Sequence, residues 1–500
     1  MRFLLITLFC WLSWSVQASV DPALVRQLAA EESDDKIAAI QAIAATAEPE
    51  ALEILQSLSA GTLTAPDGSE IMLNNRIRGE LASALAGLKL FDADVTVRRA
   101  AARELQTNVG LDMVPLLARA LEKESDASIR SLLVAAHAQA NLTHPDAAAR
   151  LAAVKALAAA PSPNTRALLL PLTQESGEPD MAVRIGAIQS LKSVESSLAI
   201  GENLGRVFTG LSLGSILLLA ALGLAITYGV MGVINMAHGE LLMIGAYATY
   251  AVQGLFRNYL PNLVDAYVLA AIPVAFLAAA AVGILLERTV IRHLYGRPLE
   301  TLLATWGLSL ILIQAARVLF GAQNVELANP AWMSGGVELM AGLVLPWNRI
   351  VIIGFSLAVL LLVWLLMNRT RLGMFVRAVT QNRPMASCVG VHTARIDTLA
   401  FGLGAGIAGL GGVALSQIAN VGPDMGQGYI VDSFMVVVLG GVGQLAGAVW
   451  AALGLGVVTK FLEGWSGAVI AKIAVLVFII VFIQKRPQGL FALKGRFVES

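Results

Sequence analysis

The chain has 500 residues, of which 57% are hydrophobic and only 14% charged, with a mean hydropathy of +0.71. Those proportions exclude an ordinary soluble enzyme and point to a membrane protein. The formal net charge is zero, 35 basic against 35 acidic side chains, so no basic footprint exists to hold a nucleic acid. The zero hides two unlike parts: residues 1–200 carry 17 Lys and Arg against 23 Asp and Glu, and the excess is reversed in residues 201–500.

The first residues have the parts of a secretory signal: Arg2 as the positive end, an apolar run over 3–16, and small residues at Val16-Gln17-Ala18-Ser19. Cleavage is expected after Ala18, which makes 1–18 a signal peptide and sends a 19–200 domain to the periplasm. An uncleaved anchor is the alternative, but the run is short against the roughly 20 residues of a full span. Cys10 leaves with the signal and Cys388 stands alone, so packing rather than a disulfide must hold the exported part together.

Residues 20–200 are rich in Ala and Leu. The phrase Asp-x-x-apolar-Arg before an Ala/Leu helix recurs with Asp94 and Arg98, Asp126 and Arg130, Asp146 and Arg150, and Asp180 and Arg184, at spacings of 32, 20 and 34. Two of these spacings approach the period of helical solenoids, and the pattern resembles HEAT-type repeats, with Asp capping helix starts and small residues letting helices stack. An irregular Ala-rich bundle is the plainer alternative. No element here carries chemistry, and Asn141-Leu142-Thr143 is too short a glycosylation motif to weigh.

From Arg206 long apolar runs follow, at 207–230, 235–255, 266–286, 302–320, 350–367, 396–415, 434–458 and 469–483. Most are near one bilayer crossing. Arg288, Arg292 and Arg297 follow the third run, and Arg369, Arg371, Arg377 and Arg383 the fifth, which places both loops in the cytoplasm and Gly201 outside. The basic carboxyl end, Lys485, Arg486, Lys494 and Arg496, also belongs inside, and that needs an odd number of crossings. The run 434–458, interrupted by Gly440-Gly441-Val442-Gly443-Gln444, is expected to split into a short hairpin and a candidate stretch of the translocation path. The expected fold is all-α: a polytopic membrane helical bundle of eight or nine spans, nine favoured, over 201–500, behind an exported HEAT-like domain.

Residues 228–247 read Tyr-Gly-Val-Met-Gly-Val-Ile-Asn-Met-Ala-His-Gly-Glu-Leu-Leu-Met-Ile-Gly-Ala-Tyr. This text strongly resembles the permease subunits of branched-chain amino acid ABC importers. The resemblance continues through Arg371-Leu372-Gly373-Met374, Arg377-Ala378, Met385-Ala386-Ser387, Gly390-Val391, Val438-Leu439-Gly440-Gly441-Val442-Gly443 and Arg486-Pro487-Gln488-Gly489-Leu490. A signal peptide and a helical exported domain ahead of the spans resemble, by architecture, the UrtB-type permeases of urea ABC transporters. The resemblance implies an inner-membrane importer with a second permease subunit, cytoplasmic ABC ATPases and a periplasmic solute-binding protein. The chain has no Gly-x-x-x-x-Gly-Lys-Ser/Thr loop, and no lysine in it follows a glycine, so ATP hydrolysis belongs on another chain.

Asn235, His238 and Glu240 lie between the first two runs, where buried polar groups are costly and often functional. They form either a proton relay or gate, or a helix break in which Asn235 caps the second helix. One His with one Glu is a poor metal site, and no catalytic group or cofactor is expected. Residues 373–390 look like the family's coupling helix, which docks on the ATPase. Arg377, Arg383 and Met385 are the expected contacts, between Gly373 and Gly390; a loop that only sets orientation is the alternative. Gly402, Gly404, Gly406, Gly409, Gly411 and Gly412 are read as helix packing, like Gly440, Gly441 and Gly443 at the hairpin, and Arg317 and Lys472 as snorkelling cations. A urea path needs donors for the carbonyl and acceptors for the amides, which Thr305, Ser309, Gln314, Gln417 and Asn420 offer.

Taken together, the residues point to a non-enzymatic permease importing urea by alternating access driven by partner ATPases. The same machine for branched-chain amino acids or short amides is the first rival. A passive urea channel would have no use for the 373–390 segment, and a membrane-bound sensor none for so many Gly-interrupted spans. The repeat domain is expected to dock the binding protein or another exported chain.

Overall fold

The computed structural model describes residues 21–30, 32–46, 48–64, 71–106, 109–340, 342–486 and 488–491. The expected signal peptide, Lys494 and Arg496 lie outside them. The chain forms two compact units, Met1–Ile200 and Gly201–Ser500.

In the first unit, short helices follow one another: α1 (Pro22–Gln27), α2 (Ser33–Thr46), α3 (Pro49–Ser59), α4 (Asn75–Lys89), α5 (Val95–Leu105), α6 (Val114–Lys123), α7 (Ala127–Ala140), α8 (Ala147–Ala158) and α9 (Pro163–Leu169). Asp94, Asp126 and Asp146 cap α5, α7 and α8, each accepting a backbone N–H two residues on at 2.8–3.0 Å. Asp180 does the same for Ala182 at 2.8 Å. These caps satisfy amides that the first helical turn leaves unpaired.

The arginine of the phrase folds back over the preceding turn. Arg98 donates to the carbonyls of Asp92 and Ala93, Arg150 to those of His144 and Pro145, and Arg184 to those of Glu178 and Pro179. Arg98 and Arg150 each also hold a buried carboxylate, Glu124 at 2.8 Å and Glu178 at 2.7 Å. Glu124 and Glu178 in turn accept the N–H of Asp126 and Asp180. The core is a succession of clusters along the chain, from Leu28 to Leu88, Ala86 to Ala140 and Ala138 to Val194. Such a core grows one helix pair at a time.

The hydrogen bond from Arg98 holds the Glu124 carboxyl below its ordinary range, and that from Arg150 does the same for Glu178. A depressed carboxyl contributes stability that is present above its unfolded value and is lost as pH falls through the folded one. The first unit should therefore weaken on acidification below the ordinary Glu value of 4.5. Arg150→Met strands a side chain that is 3% exposed and should cost about 3 kcal/mol. Denaturant unfolding of the full chain in detergent, followed by circular dichroism, checks both; an unchanged midpoint and a flat acid profile would contradict them.

The second unit contains most of α10 (Met181–Met231), then α11 (His238–Tyr259), α12 (Tyr267–Thr289), α13 (Pro298–Phe320), α14 (Trp347–Arg369), α15 (Arg371–Gln381), α16 (Arg383–Cys388), α17 (Thr393–Ser416), α18 (Met425–Gly440), α19 (Leu445–Ser466) and α20 (Ala468–Lys485). Among the described residues, α10, α12, α13, α14, α17, α19 and α20 are long and apolar enough to cross a membrane, and α18 is a shorter apolar helix. The apolar stretch 434–458 is divided: α18 ends at Gly440, α19 starts at Leu445, and Gly441 and Gly443 take φ of +99° and +78° in the turn, a region only glycine enters freely. Strands β1 (Gly336–Met340) and β2 (Leu343–Pro346) form an antiparallel hairpin before α14.

Helix α17 sits at the centre. Its most apolar stretch is 89% buried, against 17–22% for α13, α14 and α20, whose remaining surface faces outward. Glycines make this possible. A Cβ at Gly245 of α11 would collide with the backbone of Gly409, one at Gly404 with Gly223 of α10, and one at Gly440 with Gly447 of α19. In a medium as apolar as the side chains, such close backbone approach replaces the hydrophobic drive.

Candidate functional site

The two ends of the bundle differ. At the end where α12 begins, the Tyr267 hydroxyl lies 3.1 Å from the Ala328 carbonyl and 3.2 Å from Gln417 Oε1. There Gln253 donates to Ala328, and Val325 pairs its backbone with Val421. At the other end lie Arg292, α15, α16 and the turn after α18. The chain's 488–491 segment closes on that turn, with the Leu490 N–H donating to the Leu439 carbonyl at 2.8 Å. Two motifs far apart in sequence thus meet.

Between these ends α11 starts inside the bundle. The chain turns at Gly232, with φ +67°, and runs back without helical hydrogen bonding until His238, whose Nε2 donates to the Ala220 carbonyl at 3.0 Å. Ala220 stands eleven residues before the end of α10, so at 1.5 Å per residue the segment re-enters by roughly 16 Å. Helix α18 also starts within the bundle, since Gly426 meets the backbone of Gly239 and the Glu240 carboxylate. Two helix N-termini, each the positive end of its dipole, therefore approach Glu240.

Five residues singled out from sequence come together here. Ser309 donates to Glu240 Oε1 at 2.9 Å, the Met236 N–H donates to Thr305 Oγ1 at 3.2 Å, and Asn235 Oδ1 accepts from Ala237 at 3.0 Å. Asn235, His238, Glu240, Thr305 and Ser309 are all buried. Asn235 Nδ2, His238 Nδ1 and Glu240 Oε2 have no hydrogen-bond partner. Asn235 also forms part of the wall of an apolar cavity of about 200 Å³, with Leu224, Leu302, Ile430 and Phe434. Gln417 does not join them; it belongs to the Tyr267 cluster at the end of the bundle.

The α15–α16 segment corrects a sequence expectation. Arg383 turns inward, pairing with Asp397 of α17 and lying 4.9 Å from the centre of the Tyr295 ring. Beside it the buried Glu287 accepts from Thr398 at 2.7 Å and faces Arg292 at 3.6 Å. Burial first, and then Asp397 and Glu287, push the Tyr295 hydroxyl above its ordinary value. Arg377 reaches back to the Met367 carbonyl at 2.6 Å, and the buried Gly373 packs where a Cβ would meet that same carbonyl. Gly390 takes φ +90° after α16. The segment also exposes apolar side chains, Met374, Met385 and Val389 at 52%, 62% and 71%, beside the exposed Arg371, Arg377, Gln381 and Asn382. Met385 is among the expected contacts; Met374 and Val389 are not.

Arg317 and Lys472 are paired rather than snorkelling. Arg317 grips Asp424 through two bonds at 2.8 and 3.0 Å, and Lys472 meets Asp432 at 3.2 Å. Among the described residues no group of three or more His, Cys, Asp or Glu could hold a metal.

Helices broken at mid-depth, glycine seams between spans and a buried polar cluster at the break define a membrane permease. The family model described as the branched-chain amino acid transport system / permease component matches residues 206–484. The chain belongs to that family and is a multi-pass membrane protein. It is 30% identical over 293 residues to the high-affinity branched-chain amino acid transport system permease protein BraD of Pseudomonas aeruginosa, a match covering 57% of this chain and 95% of the relative. It is 29% identical over 292 residues to LivH of Escherichia coli, covering 57% and 94%. The ribose import permease protein RbsC of Escherichia coli matches more narrowly, 28% over 141 residues, 26% of this chain and 44% of that one. No solved structure matches the chain.

Removing Arg383 leaves Asp397 buried without its partner. Arg383→Met should lower the thermal midpoint of the detergent-solubilised chain by more than the double variant with Asp397→Asn does; strictly additive losses would show that the two are not coupled.

Proposed function

We propose that the chain is the permease subunit of an ABC importer in the inner membrane, passing urea by alternating access while separate ATPases supply the energy. In this reading the end where α12 begins faces the periplasm together with a HEAT-like first unit. The end carrying Arg292, α15, α16 and the carboxyl terminus faces the cytoplasm, in keeping with its cluster of arginines. The partners are a second permease subunit, a periplasmic solute-binding protein and ATPases that seat on Met374, Met385 and Val389. Arg383 acts behind that surface, tying α16 to α17 so that movement of one tilts the other.

The observation that carries the choice of solute is two of the three unpartnered groups at the helix break, Asn235 Nδ2 and Glu240 Oε2, the third being His238 Nδ1. Asn235 Nδ2 is a donor and Glu240 Oε2 an acceptor, and no basic side chain pairs with Glu240 among the described residues. Urea presents one carbonyl and two amides without a fixed charge. An amino acid brings an ammonium and a carboxylate, and the second would meet Glu240 without a cation to balance it. A further 200 residues precede the part that the relatives match, which sets this chain apart from BraD and LivH. Branched-chain amino acids remain the second reading, favoured by the transport systems to which BraD and LivH belong.

Uptake of labelled urea and labelled leucine by cells with and without this gene, before and after ATP depletion, tests the reading. Loss of ATP-dependent urea uptake alone is the expected result; loss of leucine uptake would favour the second reading, and uptake indifferent to ATP a channel. Within the site, Glu240→Gln keeps the shape but removes the charged acceptor, and should slow urea uptake about tenfold with the chain still inserted in the membrane. Unchanged uptake in that variant would remove Glu240 from the path.

A further inference from the structure

A second cavity, lined by charged and apolar side chains, lies away from the path, at the head of the membrane part of α10. We propose that it binds the zwitterionic headgroup of a phosphoethanolamine phospholipid. The cavity has a volume of about 340 Å³ and is lined by Glu202, Arg206, Phe208 and Thr209 of α10, by Leu343 of the hairpin turn and by Lys460 of α19.

Its depth suits a headgroup. The apolar run of α10 begins directly after Arg206, and α19 ends beside the cavity with Trp465, 83% exposed, in the place where an indole sits at a membrane interface. Phe208 and Leu343 carry the apolar lining on from the charged groups, as the first carbons of acyl chains require.

Its charges suit a zwitterion. Arg206 and Lys460 are both partly buried, with side chains 30% and 27% exposed, while that of Glu202 is 65% exposed. Arg206 meets Glu202 only at 3.5 Å, and Lys460 meets Glu463 at 2.5 Å. Each cation therefore has N–H groups left to donate to a phosphodiester. The Arg206 head lies against Gly464, where an added Cβ would come within 3.0 Å of its Cζ, so the glycine lets it sit there. Two cations and one carboxylate, Glu202, line the cavity, and Glu463 neutralises Lys460 from outside the lining. A purely anionic headgroup would face Glu202 with like charge, whereas the ammonium of ethanolamine donates to it. A choline headgroup has no N–H to donate.

The test is native mass spectrometry of the full chain in detergent, titrated with phosphatidylethanolamine, phosphatidylcholine, phosphatidylglycerol and, separately, inorganic phosphate and free phosphoethanolamine. Phosphatidylethanolamine should bind at least tenfold more tightly than the other lipids, and the soluble phosphates should bind no better than background. Arg206→Gln with Lys460→Gln should remove that binding, while Glu202→Gln, which leaves both cations of the cavity in place, should abolish the preference for ethanolamine over choline. Equal retention of all lipids, soluble phosphates binding as well as lipid, or Glu202→Gln leaving the preference intact would each overturn the proposal.

Discussion

Backbone against backbone, with no side chain between, is the contact on which the membrane unit depends. Gly223 meets Gly404, Gly245 meets Gly409, Gly239 meets Gly426, Gly210 meets Gly456 and Gly440 meets Gly447. Burying a leucine gains little when the alternative is lipid, so the helices associate where surfaces come closest and dispersion is greatest. Each of these pairs joins two different helices. They draw α10 and α11 onto the central α17, join α18 to α11 and α19 to both α10 and α18, and bring the first turns of α11 and α18 together.

That convergence makes the polar cluster possible. A chain that leaves helix inside a membrane must satisfy its amides from protein groups, and the 232–237 segment does so with Thr305 and the Asn235 side chain. Glu240 then sits in the first turn of α11, where the helix dipole favours a negative charge, with Ser309 donating to one oxygen. Polar clusters also stand at each end of the bundle, around Tyr267 and Gln417 at one and around Arg383, Asp397 and Glu287 at the other. Three polar levels separated by glycine-lined apolar packing suit a carrier that opens one end at a time.

The first unit solves the opposite problem. The apolar faces of its short helices pack on one another, and polar side chains define where each helix starts. Asp caps and the Arg–Glu pairs that lock the intervening turns recur from Asp94 and Glu124 to Asp146 and Glu178, giving the unit a repeating frame without a disulfide.

What the sequence determined by itself was local or periodic. Apolar runs located the seven helices that are long and apolar enough to cross a membrane among the described residues, though the run at 235–255 became α11, which is not one of them; Gly440 to Gln444 announced a break, the four Asp residues marked helix starts, and the ordered motifs after residue 228 identified the family. These depend on neighbours within a few residues, so the chain alone displays them. The tertiary structure decided which polar groups meet. From sequence Asn235, His238 and Glu240 read equally as gate or helix break; the tertiary structure sets Thr305 and Ser309 of α13 against them and sends Gln417, chemically similar, to a different cluster. Arg383 looked like a docking residue because positive charge in a loop is the ordinary signal of a cytoplasmic surface; Asp397 and Tyr295, distant in sequence, turned it inward. A side chain's role in a membrane is set by the partner that neutralises it, and that partner comes from another helix, at a depth that only the packing of glycine on glycine establishes.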